Sequence, residues 1–435
     1  PRLKLAGKAP ESLAFSGLRY YSGAVSERVI IVGGGVVGLC CAYYISQEGR
    51  EVLVLEREQE QGDNCSRENA GMIVPSHFTP LAAPGVVTQG LKWLLDAESP
   101  FYVRPRLSLE LARWGLSFIS CANSRHVKAS AGLLRDLQLA SRELFKDLSS
   151  HFDFGLQRRG LLMLCESSDF LKEEEELAGK AQELGLRVEV CDPDRLRELD
   201  PAVEMNAQGG IWYEQDCHLN PGEFLNGLKE KLMAVGGELQ YGCKVRGVGE
   251  GIVELEGGER IQGAEIIVAG GAWTSGLARS LGTRVPLQGG KGYSMTLQNP
   301  RALPQLCSLL GEAKVAITPI GDSLRVAGTM EICGEDLSIN ERRVQGIIKA
   351  ACRVFPDLQQ EEFEGVRRWS GLRPCSPDGL PYLGRVEGKE KVLVASGHAM
   401  LGLSLGPITG KLVSEIVAGR APTIPVEQLA VDRFA

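Results

Sequence analysis

The segment from Val29 to Glu56 places the strongest constraint on how this chain folds. It reads VIIVGGGVVGLCCAYYISQEGREVLVLE: a β-branched run, three glycines at G-x-G-x-x-G spacing, an apolar helix pattern, a second apolar run and a terminal acid. Gly33 allows a tight turn, Gly35 lets the backbone approach a pyrophosphate, and Gly38 lets the helix pack closely on the strand. Together these features predict a βαβ unit that binds a dinucleotide.

The same unit predicts which of its groups contact the nucleotide. The loop and the first helical turn offer unpaired N–H groups and a partial positive charge to phosphates. The residues concerned are Gly33, Gly34, Gly35, Val36, Val37 and Gly38. Glu56 follows Gly35 by 21 residues (56 − 35), at the end of the second strand, where a carboxylate accepts from ribose hydroxyls. Arg57, the next residue, is a further candidate cofactor contact.

Composition limits the class of protein. A length of 435 residues predicts two or three domains, and 43% hydrophobic with 24% charged residues fits an α/β enzyme. The net charge of −7, without a basic stripe, argues against nucleic-acid binding. Twelve cysteines without C-x-x-C pairs, and five dispersed histidines, predict reduced thiols and no metal site. The longest apolar run contains three consecutive glycines and is shorter than the roughly 20 residues of a membrane span, so no transmembrane segment is expected.

Residues 1–26 carry four basic side chains and the single acid Glu11, and they show no strand pattern. Two interpretations stay open: a disordered leader, or an organelle transit peptide. We therefore expect a cytoplasmic protein, or a mitochondrial protein if this segment is a transit peptide. Peripheral association with the inner face of a membrane stays open.

The order of the remaining patterns predicts an α/β fold with α+β inserts. Strand–helix signals typical of nucleotide binding occur at both ends of the chain, and strand-rich material lies between them. The predicted parts are a Rossmann-like nucleotide-binding domain, discontinuous in sequence (27–75, 217–285 and 366–420), an antiparallel-sheet substrate domain (76–216 and 286–365), and a C-terminal tail (421–435). Predicted helices between the first two blocks are Val86–Leu95, Leu107–Ser120 and Leu133–Leu148.

Several short motifs extend the pattern from Val29 to about Gly419. They are Asn69-Ala70-Gly71, Ala82-Ala83-Pro84-Gly85 with Leu91-Lys92-Trp93, Lys291-Gly292-Tyr293-Ser294, Gly371-Leu372-Arg373-Pro374, Pro377-Asp378-Gly379 and Gly397-His398. With the glycine loop, they resemble the D-amino-acid oxidase/dehydrogenase superfamily of FAD enzymes. The resemblance implies an FAD-binding domain and oxidation of an amino acid.

The resemblance also assigns site residues. It implies that Arg373 pairs with the substrate carboxylate, for which a guanidinium fork is a natural bidentate partner. His398 and Tyr293 are further catalytic candidates, each with a packing role as the alternative. FAD contacts are expected from Asn69, Ala70, Gly71, Met72, Val245, Gly270, Gly397, His398, Leu401, Gly402 and Leu403. The covalent flavin cysteine of some relatives has no counterpart, because Cys375 lies at a different spacing, so FAD is expected to be non-covalent.

The expected reaction is oxidation of a D-amino acid to a 2-oxo acid and ammonia, with hydride transfer from Cα to flavin N5. Electrons would pass on to a quinone or O₂. The alternative substrates are glycine, sarcosine and secondary amines such as hydroxy-D-proline. Two other functions stay open: a nicotinamide dehydrogenase, or an inactive flavin-binding subunit of a larger assembly. Whether the protein forms an oligomer also stays open. His77 stands where the family usually has Gly-Tyr, and either a pocket position or a surface loop fits it.

Overall fold

The computed structural model describes residues 27–60, 62–86, 88, 90 and 99–435. The predictions for residues 1–26 and for Leu91-Lys92-Trp93 lie outside these residues, as does most of the predicted helix Val86–Leu95. None of the helices in the described ranges has the length and hydropathy needed to cross a bilayer.

Strands of the described chain, in order, are β1 Val29–Val32, β2 Val52–Leu55, β3 Met72–Ile73, β4 Phe101–Val103, β5 Leu161–Cys165, β6 Val188–Cys191, β7 Gly209–Tyr213, β8 Cys217–His218, β9 Glu238–Gln240, β10 Val245–Gly249, β11 Ile252–Leu255, β12 Arg260–Gln262, β13 Glu265–Val268, β14 Gln288–Gln298, β15 Cys307–Leu310, β16 Val315–Ile320, β17 Ser323–Ile332, β18 Trp369–Cys375, β19 Tyr382–Val386 and β20 Lys389–Ser396. The α-helices are α1 Val36–Gln47, α2 Leu109–Cys121, α3 Ser124–Leu148, α4 Ser168–Glu183, α5 Pro193–Leu199, α6 Pro221–Ala234, α7 Thr274–Ser280, α8 Glu341–Val354 and α9 Gly406–Val417.

The smaller main sheet is the predicted nucleotide-binding sheet. Its six strands follow the order β19-β20-β13-β1-β2-β9, and all are parallel except β19. Every residue of β1 and β2 is buried, as expected for parallel strands covered on both faces. Helix α1 packs against α6 and α9. A Cβ at Gly410 of α9 would lie 2.5 Å from the Cys40 backbone, so this glycine lets the two helices touch.

The larger sheet has nine strands in the order β18-β14-β17-β16-β15-β5-β7-β6, with β4 beside β17. Its pairings are antiparallel except for β15–β5 and β17–β4. Helix α8 covers one face with Val344, Ile347, Ile348 and Ala351, which recur at helical spacing. The opposite face looks toward the nucleotide-binding sheet and lines a cavity. This combination of parallel and antiparallel sheets confirms the predicted fold class.

One predicted boundary differs from the sheet topology. The block 366–420 was assigned to the nucleotide-binding domain, but Trp369–Cys375 pairs with β14 along its whole length, from Trp369 opposite Ser294 to Cys375 opposite Gln288. Only β19 and β20 of this block join the smaller sheet. We therefore propose the same two discontinuous domains, but with the chain passing from the substrate domain to the nucleotide-binding domain for the last time after Cys375.

The C-terminal tail 421–435 docks onto the body of the protein. Arg433 donates to both carboxylate oxygens of Asp378 at 2.8 and 3.0 Å, and its guanidinium lies 3.9 Å from the Tyr382 ring centroid. These two ionised side chains are only 13% and 6% exposed. Leu429 and Val431 are buried beside them. The tail is thus part of the packed structure.

We predict that Arg433→Ala lowers the free energy of unfolding by about 3–5 kcal/mol, because it leaves the buried Asp378 carboxylate without its partner. The matched control is Arg420→Ala, which removes an ion pair with Glu48 whose side chains are 52% and 37% exposed. That variant should lose far less, because an exposed ion pair is screened by solvent. Urea unfolding measures both, and equal losses would contradict the prediction.

Candidate active site

The glycine loop is shaped by two close backbone contacts. Gly33 has φ +114°, and a Cβ there would lie 2.4 Å from the carbonyl oxygen of Ala269, just after β13. A Cβ at Gly38 would lie 1.9 Å from the carbonyl oxygen of Gly33. Larger side chains at these positions would push α1 away from β1. The loop therefore delivers the N-terminus of α1 to the carboxyl end of the sheet, where dinucleotides bind in such folds.

The polar groups around this loop fit a dinucleotide. Glu56 accepts from the Gly34 N–H at 2.6 Å with one oxygen and from the Glu58 N–H at 2.9 Å with the other. The Ser66 hydroxyl accepts from the Val36 N–H at 2.9 Å, so an oxygen already occupies the N-terminus of α1, where a phosphate oxygen would bind. The guanidinium of Arg57 lies 3.4 Å from the centroid of the Trp273 ring.

A cavity of about 1000 Å³ runs from this loop to the large sheet. That volume lies at the upper end of the usual range for ligand pockets, about 300–1,000 Å³. Most predicted site residues line it: Gly33, Gly35, Val36, Val37, Glu56, Arg57, Asn69, Ala70, Met72, Val245, Gly270, Tyr293, Arg373, His398, Leu401, Gly402 and Leu403. His77 also lines it, so its position is the pocket and not a surface loop.

Four of the predicted contacts shape the backbone near the cavity and do not line it: Gly34, Gly38, Gly71 and Gly397. Gly71 has φ +80°, and a Cβ there would lie 2.5 Å from the carbonyl oxygen of Leu219. Gly397 has φ +81°, and its Cβ would meet the Tyr382 ring at 2.8 Å. Gly71 and Gly397 are therefore required by close packing, independently of any ligand.

A large-sheet side chain positions the loop that carries Asn69 and Ala70. Arg325 of β17 donates from Nη1 to the carbonyl oxygens of Arg67 and Asn69 at 2.8 and 2.7 Å. Glu68 pairs with the same guanidinium at 3.6 Å. Burial lowers the pKa of Arg325. This contact ties the two sheets together at the cavity, and a single arginine in a strand gave no sequence signal for it.

The segment that precedes α9 forms another part of the cavity wall. A 3₁₀ turn, Ala399–Leu401, begins with Ala399 at φ +47°, a conformation that residues other than glycine adopt rarely. The His398 side chain is buried and its Nε2 lies 2.9 Å from the Thr409 hydroxyl of α9. Burial lowers the pKa of His398 to about 4, so the imidazole is neutral at pH 7. Its side chain holds the turn against α9.

Arg373 of β18 presents its guanidinium on the cavity face of the large sheet. Nη1 donates to the carbonyl oxygen of Thr329 at 2.7 Å. A Cβ at Gly292 would lie 2.2 Å from the same Nη1, so this glycine provides the space in which the guanidinium lies. Among the described residues Arg373 has no carboxylate partner, and burial lowers its pKa. Thr329 has φ +68°, a strained conformation of the kind that clusters at functional sites.

Tyr293 lies next to Gly292 but its side chain belongs to the opposite face of the sheet. Its hydroxyl donates to Glu331 at 2.5 Å and accepts from the Asn340 N–H at 3.2 Å. Lys291 and Arg343 flank the same carboxylate at 3.9 and 3.5 Å. The side chain is 1% exposed and packs in the core under α8. The hydroxyl is thus committed to a buried polar cluster.

The sequence profile of the FAD dependent oxidoreductase family, DAO, matches residues 28–416. The chain belongs to this family. It is 32% identical over 424 residues to a D-amino acid dehydrogenase of Xanthobacter autotrophicus, covering 94% of this chain and 99% of that protein. A D-amino acid dehydrogenase of Methylobacterium radiotolerans is 30% identical over 422 residues, with the same coverage of 94% and 99%. The predicted family resemblance is confirmed.

Solved structures agree with this membership in the FAD dependent oxidoreductase family at the level of the fold. Glycine oxidase from Geobacillus kaustophilus superposes with a TM-score of 0.75 at 21% identity, covering 94% of this chain and all, 100%, of that one. L-proline dehydrogenase from P. horikoshii gives a TM-score of 0.68 at 18% identity, covering 94% and 98%. FAD is the cofactor of the family, and the glycine loop, Glu56 and Ser66 fit it.

We predict that Gly38→Ala abolishes FAD retention and lowers stability, because its Cβ would collide with the Gly33 carbonyl. Gly115→Ala in α2 is the matched control, since a Cβ there meets nothing within 4 Å. That change should stabilise the helix by about 0.5–1 kcal/mol and leave FAD content unchanged. Flavin absorbance per purified protein and thermal unfolding decide between the two. Normal FAD content in Gly38→Ala would contradict the close-packing argument.

Proposed function

We propose that this chain oxidises a D-amino acid to a 2-oxo acid and ammonia with FAD. The observation that carries the proposal is the guanidinium of Arg373, half-buried at the cavity wall without a carboxylate partner among the described residues. The two relatives at 32% and 30% identity, both named D-amino acid dehydrogenase, support the same substrate class.

Arg373 is the proposed carboxylate-binding residue. The Thr329 carbonyl accepts from one nitrogen and fixes the plane of the guanidinium, which leaves further N–H groups for a bidentate pair with the substrate. Such a pair is strong where water is excluded, and it sets the orientation of the substrate Cα in the cavity. FAD, when bound, supplies the hydride acceptor for the Cα–H bond. The chain then needs only to hold a substrate whose amine is neutral.

FAD binding is proposed along the length of the cavity. Glu56 would accept from ribose hydroxyls, and Ser66 and the N-terminus of α1 would bind the pyrophosphate. Backbone N–H groups of Gly402 and Leu403, at the start of the turns that lead into α9, would face the flavin where negative charge develops on reduction. His398 would support this turn from behind, and Tyr293 would stay a core residue.

We propose that FAD is non-covalent. Cys375 is fully buried, and burial raises the pKa of its thiol to about 12. Cys65 lines the cavity, but burial raises the pKa of this thiol to about 11. Neither forms the thiolate that attachment requires near neutral pH. The electron acceptor, a quinone or O₂, stays a prediction, as do an oligomer, peripheral membrane association and the role of residues 1–26.

Acid precipitation tests the mode of FAD attachment. Trichloroacetic acid should release the yellow colour of the purified protein into the supernatant, because only contacts of the folded state hold the cofactor. A parallel sample digested with a protease after precipitation is the control for trapped flavin. Colour that stays with peptide fragments would identify a covalent bond and contradict the proposal.

Substitution of Arg373 tests the carboxylate site. Arg373→Ala should lower kcat/KM for a D-amino acid by about 30- to 5,000-fold, since losing one member of a buried charge pair costs about 2–5 kcal/mol. Arg373→Lys keeps the charge but not the fork, so it should fall between Arg373→Ala and the wild type. FAD content should remain near normal in both variants. Steady-state kinetics with a dye acceptor and flavin-replete protein measure these effects.

The control variant is Arg368→Ala, which should keep wild-type kinetics. Arg368 lies just before β18, and its side chain pairs with the exposed Glu341. The amide of the same D-amino acid provides a substrate without the carboxylate, on which Arg373→Ala should have little effect. Wild-type kcat/KM of Arg373→Ala on the acid would refute the assignment. Turnover of sarcosine, glycine or hydroxy-D-proline in place of primary D-amino acids would favour the secondary-amine alternative.

A further inference from the structure

His77 faces the cavity as the end of a buried chain of hydrogen bonds. Its Nδ1 lies 3.1 Å from the Ser76 hydroxyl. That hydroxyl donates to one carboxylate oxygen of Asp216 at 2.5 Å, and the Ser76 N–H donates to the other at 3.0 Å. Asp216 is 1% exposed, and no mechanistic step above uses any of these three side chains.

The donor and acceptor roles in these hydrogen bonds determine which tautomer His77 adopts. When Asp216 is ionised, the Ser76 proton goes to Asp216, so the Ser76 oxygen is left to accept from His77 and Nδ1 carries the hydrogen. Burial raises the pKa of Asp216 to about 7, so this arrangement holds above that pH. Burial, with a smaller effect of Lys314, lowers the pKa of His77 to about 4, so the ring is neutral. Its Nε2 then carries a lone pair and has no hydrogen-bond partner in the described parts of the chain. A neutral imidazole in this state is an acceptor.

The same cavity contains this acceptor and the carboxylate site. Arg373 touches the Thr329 carbonyl, and the preceding residue, Gly328, pairs with Val315 on the neighbouring strand. Lys314, which precedes Val315, lowers the pKa of His77 through its charge and lines the same cavity. His77 and Arg373 therefore line one and the same cavity.

Among the described residues, one row of the cavity face consists of four small or apolar side chains. Ala327, Ala316, Leu309 and Met163 follow one another across β17, β16, β15 and β5 in register, and all four line the cavity. Small and apolar residues leave room for an aliphatic stem. At the far end, the ammonium of Lys314 disfavours a cationic side chain, and the lone pair of His77 disfavours a carboxylate. Neutral groups that donate a hydrogen bond fit both.

We propose that His77 is a specificity residue that accepts a hydrogen bond from the substrate side chain, and that the preferred substrates are D-amino acids with a neutral hydroxyl or amide group. Ser76 and Asp216 are positioning residues that hold the Nδ1 hydrogen and so keep Nε2 an acceptor. This inference rests on the proposed function. It also gives a chemical role to a histidine that lines the cavity.

The test compares substrates that differ only by a hydroxyl in place of a methyl group. Anaerobic flavin reduction is followed by stopped flow with D-homoserine against D-norvaline, and with D-serine against D-2-aminobutyrate. The wild-type enzyme should reduce faster at limiting substrate with the hydroxyl member of at least one pair, by about 5- to 100-fold, because the alkyl member leaves the buried acceptor unpaired. A wild-type ratio near one for both pairs would overturn the proposal.

Variants of His77 separate recognition from packing. His77→Phe should bring the hydroxyl-to-methyl ratio close to one, while His77→Gln should keep part of it, since a Gln carbonyl oxygen also accepts. The control His151→Phe alters a histidine whose side chain is 50% exposed and should leave the ratio unchanged. A His77→Phe enzyme that slows on both members equally, with the wild-type ratio intact, would make His77 a structural residue and refute its role in specificity.

The same data keep the two hypotheses apart. If D-norvaline and D-2-aminobutyrate reduce the flavin in wild type and Arg373→Ala slows both, the proposed function stands whatever His77 does. If no D-amino acid reduces the flavin, the proposed function fails and the inference falls with it. Ratios are taken on flavin-replete protein, so a variant that retains less FAD still reports on specificity.

Discussion

The contact between α1 and β1 is the constraint on which the rest of the site depends. Gly38 sits against the Gly33 carbonyl, and Gly33 sits against the Ala269 carbonyl after β13. With no side chain at either contact, the helix N-terminus, the end of β13 and the Glu56 carboxylate converge on one point. Every other feature of the cavity is arranged relative to this point. The glycine at 410, which lets α9 lie against α1, extends the same close packing to the far wall.

The large sheet meets this nucleotide-binding unit through its cavity face. Glycine is again the permissive residue, because Gly292 leaves the space in which the Arg373 guanidinium lies. The two faces of this sheet have separate chemistry. The face under α8 buries a polar cluster around Glu331, whereas the cavity face leaves donors of Arg373 available to a ligand. Arg325 then joins the sheet to the loop at Asn69.

Local signals predicted the parts of the fold that are encoded locally. The strand–glycine–helix–strand unit was predicted with its observed bounds, because burial on both sides requires an unbroken apolar run and the turn requires glycine. The strand Trp369–Cys375 lies in a block predicted to belong to the nucleotide-binding domain, yet it pairs with Gln288–Gln298 of the large sheet, because its sequence specifies an extended conformation but not its partner. Ser66, Arg325 and the Ser76–Asp216 pair escaped prediction for the same reason. Their roles come from residues 30 to 258 positions away in the chain, which no local pattern contains.

The discontinuity of the smaller sheet has a consequence for biosynthesis. Its central strands β1 and β2 leave the ribosome early. The strand β13 pairs with β20, which ends only at Ser396, and α9 can pack on α1 only after Val417 has emerged. At about 5–20 residues per second, more than ten seconds separate the synthesis of the glycine loop from that of its last structural support. During that interval the apolar strands lack their final cover. The complete FAD site therefore forms only late in synthesis, after the last helix that supports it has emerged.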